Sequence, residues 1–181
     1  NEAFIKDDQF ISVEYELEGQ VFSIVLPLNK RYVDPVKGEI FEPIAILPAV
    51  TMHWSSLSSI LPNGKSQKIQ LQVRAHTEIS GGQLNLTIPA NWKVSVLNNA
   101  TLPKLEKGQT HTFEIEVQSN SDKDLSDKLL ASITVDNNNY NQQLTNIDYP
   151  HIPRQTILTP SEILLVSFSV EMEKHKIGYI E

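Results

Sequence analysis

Apolar and polar residues alternate strictly in two stretches of the chain that share one layout. Gly64-Lys-Ser-Gln-Lys-Ile69-Gln-Leu71-Gln-Val73 and Gly108-Gln-Thr-His-Thr-Phe113-Glu-Ile115-Glu-Val117 each place a glycine five residues ahead of three apolar positions spaced two apart. A period of two is the signature of a strand with one face buried and the other wet. Weaker alternation marks 10–17 and 21–26, which form a hairpin about Gly19, and a short strand at 44–47 closed by Pro48. From Val50 onward, strands are predicted at 50–54, 67–75, 83–88, 92–97, 110–118, 129–136 and 140–147. They are separated by Pro62-Asn-Gly64, Gly81-Gly82, Pro89-Ala-Asn91, Pro103 to Gly108, Asn120 to Asp127 and Asn137-Asn-Asn139. About seven short strands in ~100 residues with regular turn chemistry is the pattern of an immunoglobulin-like sandwich. No long segment carries a 3.6-residue apolar period, and only 122–128 leaves room for a short helix.

Asp148-Tyr-Pro-His-Ile-Pro153 reads as a stiff connector, because two prolines so close favour extended backbone. Beyond it, 155–158 and 163–172 have strand character, and 177–180 begins another strand. The expected fold is therefore all-β: an immunoglobulin-like β-sandwich at 48–150, a β-hairpin segment at 1–47 that ends a preceding β domain, and a β linker at 151–181 that opens a following one. On this expectation the chain is a piece of a longer protein.

Composition changes this picture little but excludes several functions. Among 181 residues, 40% are apolar and 20% charged, as in a folded domain, and there is no cysteine. Disulfides and thiolate metal sites are thereby ruled out. The formal charge is −7 without clustered Lys and Arg, which argues against nucleic acid as a partner. The longest apolar run, Ile163 to Val170, falls far short of the ~20 residues of a membrane helix.

The chemistry-bearing residues do not form a catalytic pattern. Five histidines are scattered without ligand spacing, so no metal is expected. Asp122, Asp124 and Asp127 resemble a calcium loop only briefly, since positions six and twelve hold Asp127 and Ile133 where Gly and Glu are required. Asp34, Glu39 and Glu42 lie on a Pro/Gly turn beside Arg31 and Tyr32, which suits a salt-bridged turn better than paired glycosidic carboxylates. Gly81-Gly82 lacks the Lys-Ser/Thr of a phosphate loop, and no Gly-x-Ser-x-Gly elbow is present. The candidate ligand-binding residues are aromatic: Trp54 and Tyr32 as exposed stacking platforms, and Trp92, whose placement beside an alternating strand also suits a core position.

Within 62–118, Pro-Asn-Gly64, Ile88-Pro-Ala-Asn-Trp92 and Leu105-Glu-Lys-Gly108 together resemble the NEW3-type Ig-like domain of bacterial carbohydrate-active proteins, with Asn91 and Lys107 in place of the usual Gly and Pro. The flanks narrow the likeness. Arg31-Tyr-Val-Asp-Pro-Val-Lys-Gly-Glu39 with Pro43-Ile-Ala-Ile-Leu-Pro48, and Ile147-Asp-Tyr-Pro-His-Ile-Pro-Arg-Gln-Thr156 with Lys176-Ile-Gly-Tyr-Ile180, are similar to the regions around this domain in Bacteroidetes proteins of the PIG-L (LmbE-like) deacetylase family. The resemblance covers roughly 20–180. Such proteins carry a zinc-dependent N-acetyl-sugar deacetylase domain nearer the N-terminus, whose His-Pro-Asp-Asp motif does not occur here. The resemblance therefore implies a non-catalytic accessory region with no cofactor of its own, in the periplasm or secreted. Its implied partners are neighbouring domains of the same polypeptide and a polysaccharide; a carbohydrate-binding module is the alternative.

Overall fold

A computed structural model describes residues 10–36, 38–149 and 155–169. Every regular element in them is a strand. Two hairpins come first: β1 (Phe10–Leu17) with β2 (Gln20–Pro27), and β3 (Asn29–Asp34) with β4 (Gly38–Pro43). The sandwich is built from β5 (Val50–Trp54), β6 (Ser58–Pro62), β7 (Ser66–Ala75), β8 (Gly82–Thr87), β9 (Trp92–Val96), β10 (Thr101–Leu102), β11 (Thr110–Ser119), β12 (Leu125–Val135), β13 (Asn138–Tyr140), β14 (Gln142–Ile147), β15 (Gln155–Pro160) and β16 (Glu162–Phe168). One sheet has the order β15-β14-β5-β7-β11-β9. The other has the order β10-β8-β12-β16-β6, with β13 also on β12. The fold is all-β, an immunoglobulin-like sandwich preceded by a hairpin segment, as the alternation predicts.

The two repeated stretches become β7 and β11, neighbours at the centre of the first sheet. They pair antiparallel with Ile69 opposite Ile115 and Leu71 opposite Phe113. Their apolar positions all point inward: Leu71, Val73, Phe113, Ile115 and Val117 have no exposed surface. Leu129, Ile133, Ile163 and Leu165 meet them from β12 and β16 of the second sheet. Burying side chains of this size stabilises by roughly 1.5–3 kcal/mol each before entropy is counted, so this layer is the principal favourable term. Gly64 and Gly108, which open the two stretches, have φ of 72° and 88° with open space beside Cα. Backbone conformation, not crowding, calls for glycine there.

From β5 to β12, every connection carries the chain from one sheet to the other. Two later crossings lie side by side. Asn141 takes the chain from β13 to β14, and Ser161 takes it from β15 to β16. The Ser161 N–H donates to the Asn141 carbonyl (2.7 Å), and the Ala131 N–H donates to the Ser161 carbonyl (2.9 Å). At the other end of the core, polar side chains join the sheets. Ser167 Oγ donates to Ser119 Oγ (3.0 Å), Trp92 Nε1 to Asp127 Oδ2 (2.9 Å) and Ser59 Oγ to Gln67 Oε1 (3.0 Å).

Four expectations need correction. Residues 155–168 are strands but not a linker. β15 is the outer strand of the first sheet, and β16 lies between β12 and β6 in the second, so the sandwich continues past 150. Ile163 and Leu165 are fully buried there, and their burial requires the sheet on both sides. No strand forms at 44–47; instead β3 and β4 pair about the Asp34-Pro35 turn, where Asp34 Oδ1 accepts the Val36 N–H at 2.8 Å. No helix forms in 122–128, because β12 begins at Leu125 and pairs with β16 from its first residue. β6 and the two-residue β10 are additional strands. The prolines at 150 and 153 and the strand at 177–180 lie outside the described residues.

The Gly81-Gly82 pair is explained by close approach. A Cβ on Gly82 would stand 2.6 Å from the Thr134 carbonyl oxygen and 3.0 Å from Val135 Cγ2. Gly82→Ala is expected to destabilise the protein by about 1–3 kcal/mol through overpacking. Urea unfolding measures this, and an unchanged midpoint would contradict the close packing of β8 on β12.

Candidate functional site

Outward-facing positions of β5, β7 and β11 create a polar face on the first sheet. Two adjoining depressions mark it. His53, Ser55, Gln70, Gln72 and Thr112 line one of about 140 Å³. Ser55, Lys68, Ile69, Gln70 and Glu114 line another of about 320 Å³. The strand period puts these side chains there: the residues that alternate with Ile69, Leu71, Val73, Phe113 and Ile115 must face solvent. Amides, hydroxyls, one imidazole and one acid–base pair of side chains can hydrogen-bond a neutral polar ligand. Glu114 is the one carboxylate among these lining residues, so they hold no pair of convergent carboxylates. A notch of about 150 Å³ beside the Asn141 and Ser161 crossings is similarly neutral, lined by Thr87, Ser132 and Asn139 among others.

The aromatic candidates are placed differently from one another. Trp54, expected as an exposed platform, is only 3% exposed, because β5 pairs with β7 and turns the ring into the core beside Leu71. Trp92 is 6% exposed, in the core position its sequence context also allowed. Its indole N–H is satisfied by Asp127, so this ring joins the two sheets. Neither ring presents a free face for stacking on a sugar. Tyr32 alone is half-buried, on the β3–β4 hairpin, and its hydroxyl donates to Glu42 Oε1 at 2.8 Å. Lys30 Nζ lies 5.4 Å from the centre of the Tyr32 ring, a cation–π distance. The structure brings no two of the three aromatics together into one site.

The carboxylates of the β3–β4 turn have structural partners. Glu39 pairs with Arg31, and Glu42 accepts the Tyr32 hydroxyl, which is the salt-bridged turn expected from the sequence. Of the three aspartates at 122–127, Asp127 accepts from Trp92 and Asp124 accepts the Ser169 N–H at 2.9 Å. Among the described residues, no three His, Asp or Glu side chains are grouped to hold a metal ion.

The groups with displaced proton affinity lie away from the polar depressions. Tyr32 is pushed above its ordinary value of 10.0, first by its hydrogen bond to Glu42, then by burial and by the negative charges of Glu42, Asp34 and Asp148. His76 is pushed below 6.5, first by burial and then by the charge of Arg74; its Nε2 lies 2.8 Å from Thr51 Oγ1. Glu78 and Lys104 form an exposed ion pair at 2.7 Å, in which each holds the other charged. Such surface pairs contribute little to stability. The signal for the polar face was present in the sequence as the wet half of the alternation, but it forms no motif that names a ligand.

No family model matches the chain, and no curated protein matches it. Solved structures do show similarity. The secreted serine protease VesC from Vibrio cholerae aligns at 12% identity with a TM-score of 0.39, over 68% of this chain and 24% of that one. The PapD-like domain 7 of human CEP192 aligns at 12% identity and a TM-score of 0.39, over 77% of this chain and 99% of that one. Native E. coli alpha-2-macroglobulin aligns at 14% identity and a TM-score of 0.38, over 82% of this chain and 9% of that one. The chain thus spans less than a quarter of VesC and a small part of the macroglobulin. The two sheets themselves define the sandwich architecture.

Two titrations test the local electrostatics. Tyr32 is expected to ionise above 10.0, and Glu42→Gln to lower its midpoint; a midpoint unmoved by that change contradicts the hydrogen bond. By NMR, His76 is expected to titrate below 6.5. The unfolded chain then takes up this proton first. The stabilising contribution is present above the unfolded value and is lost as pH falls through the folded one. A His76 midpoint above 6.5 would reverse that sign.

Proposed function

We propose that the chain is a non-catalytic accessory β-sandwich that supports and spaces a zinc-dependent N-acetyl-sugar deacetylase domain of the PIG-L (LmbE-like) family, in the periplasm or outside the cell. The family part of this reading rests on the resemblance of residues 20–180. The support part rests on one observation: both tryptophans, the largest candidates for ligand recognition, are committed to the core of the sandwich. Its partners on this reading are neighbouring domains of the same polypeptide, and no cofactor is assigned to the chain itself. Among the described residues, no helix is long and apolar enough to cross a membrane.

The polar depressions on the first sheet favour a second reading, a carbohydrate-binding module. Amides and hydroxyls at Gln70, Gln72, Ser55 and Thr112 suit saccharide hydroxyls. Here Tyr32 would be an auxiliary platform, while Trp54 and Trp92 would contribute only indirectly.

Calorimetric and NMR titration with a panel of polysaccharide fragments separates the readings. The accessory reading expects no saturable heat and no turnover of N-acetylated sugars by the chain with added zinc. Saturable shifts confined to His53, Gln70 and Gln72 would replace it with the binding-module reading. Sequencing the reading frame upstream tests the family assignment: a His-Pro-Asp-Asp deacetylase domain is expected, and a frame encoding none overturns it.

A further inference from the structure

The β1–β2 ribbon has one face dominated by apolar cross-strand pairs, with Leu17 opposite Gln20 at its turn end. Ile11 stands opposite Leu26, Val13 opposite Ile24 and Tyr15 opposite Phe22. The two rings stack with centroids 5.4 Å apart and planes 16° apart. Each of these six side chains is 41% to 53% exposed, and among the described residues nothing covers them. The other face is mixed: Ser12 and Ser23 lie 3.4 Å apart across it, with Glu14 and Glu16 on the same strand face. The period of two places the carboxylates and the apolar pairs on opposite faces.

An isolated two-stranded ribbon is marginal in water and needs a second layer on its apolar face. The fractional exposures of these six residues correspond to roughly 600 Å² of uncovered surface, the upper end of the patch a monomer ordinarily leaves exposed. Closing two such faces on each other would remove at most ~1,200 Å², the lower end of a stable protein interface. Charge narrows the choice of occupant. The face carries no charged side chain, and the ribbon has Glu14, Glu16 and Glu18 without a Lys or Arg. That balance disfavours nucleic acid and anionic lipid. In a two-fold, face-to-face pairing the carboxylates of both copies point outward, so no like charges are buried.

We propose that the apolar face of the β1–β2 ribbon is a self-association surface, on which the same face of a second copy of this chain packs to form a two-layer, four-stranded dimer contact. The inference stands apart from the deacetylase assignment and from any glycan binding.

Sedimentation velocity of the full 181-residue chain over a concentration series tests it. A reversible monomer–dimer equilibrium is expected. Neighbouring substitutions on opposite faces locate the contact. Ile24→Lys puts a charge on the apolar face and is expected to weaken the dimer at least about a hundredfold. Val25→Lys, one residue on and 57% exposed on the other face, should leave it intact. Circular dichroism with thermal unfolding checks that both variants retain the sandwich, whose core neither residue joins. A chain that stays monomeric at high concentration, a dimer that survives Ile24→Lys, or equal loss in both variants would each overturn the proposal. So would binding to neutral lipid vesicles by a chain that remains monomeric in solution.

Discussion

The burial of one side-chain layer between two sheets is the constraint on which the rest of the structure depends. β7 and β11 supply a continuous part of it, because the two stretches with the same layout pair with each other and send Ile69, Leu71, Phe113 and Ile115 to one side. A slip of one residue in their register would turn the inward pair of the slipped strand to solvent, so the core and the pairing specify one another. The chain then crosses between sheets at every step from β5 to β12. Neither sheet can be completed without the other, and each strand's apolar face is useful only when the opposite sheet is in place.

That arrangement also limits where function can reside. Whatever the core uses is unavailable to a ligand, and it uses both tryptophans. Trp92 serves a second structural purpose through its indole N–H, which joins Asp127 across the layers. The Ser119–Ser167 and Ser59–Gln67 contacts lie at the same end and satisfy hydroxyl groups that would otherwise be buried without partners. What remains outside is the wet half of the alternation on β5, β7 and β11, together with the two leading hairpins. The titrating groups with displaced affinities, Tyr32 and His76, are explained by local structural partners and lie apart from the polar depressions. The side chains left outside the core are those of the polar face and of the leading hairpins, and a binding role would have to use them.

Much of the fold was legible because one-sided burial writes itself into sequence at period two. The central strands, most of the turns and the all-β class follow from that period alone. What was hidden depended on partners distant in sequence. β16 pairs parallel with β6 about a hundred residues earlier, and no local pattern announces such a pairing. The prolines near 150 looked like a boundary, although the strands beyond them complete both sheets. β6 was obscured by its serines and by Pro62, which sits at the end of an outer strand where a missing N–H is tolerated. Trp54 was misplaced for a related reason. Its alternation with Met52 and Val50 put it on the inward side, where pairing of β5 with β7 buries it.

Native-state hydrogen exchange tests the shared core most directly. If the two sheets depend on one layer, amides of β7 and β11 in the first and of β12 in the second should be the slowest to exchange. They should share one opening free energy, equal to that of global unfolding, and respond alike to dilute denaturant. Two distinct opening energies, with one sheet exchanging while the other stays protected, would contradict the account.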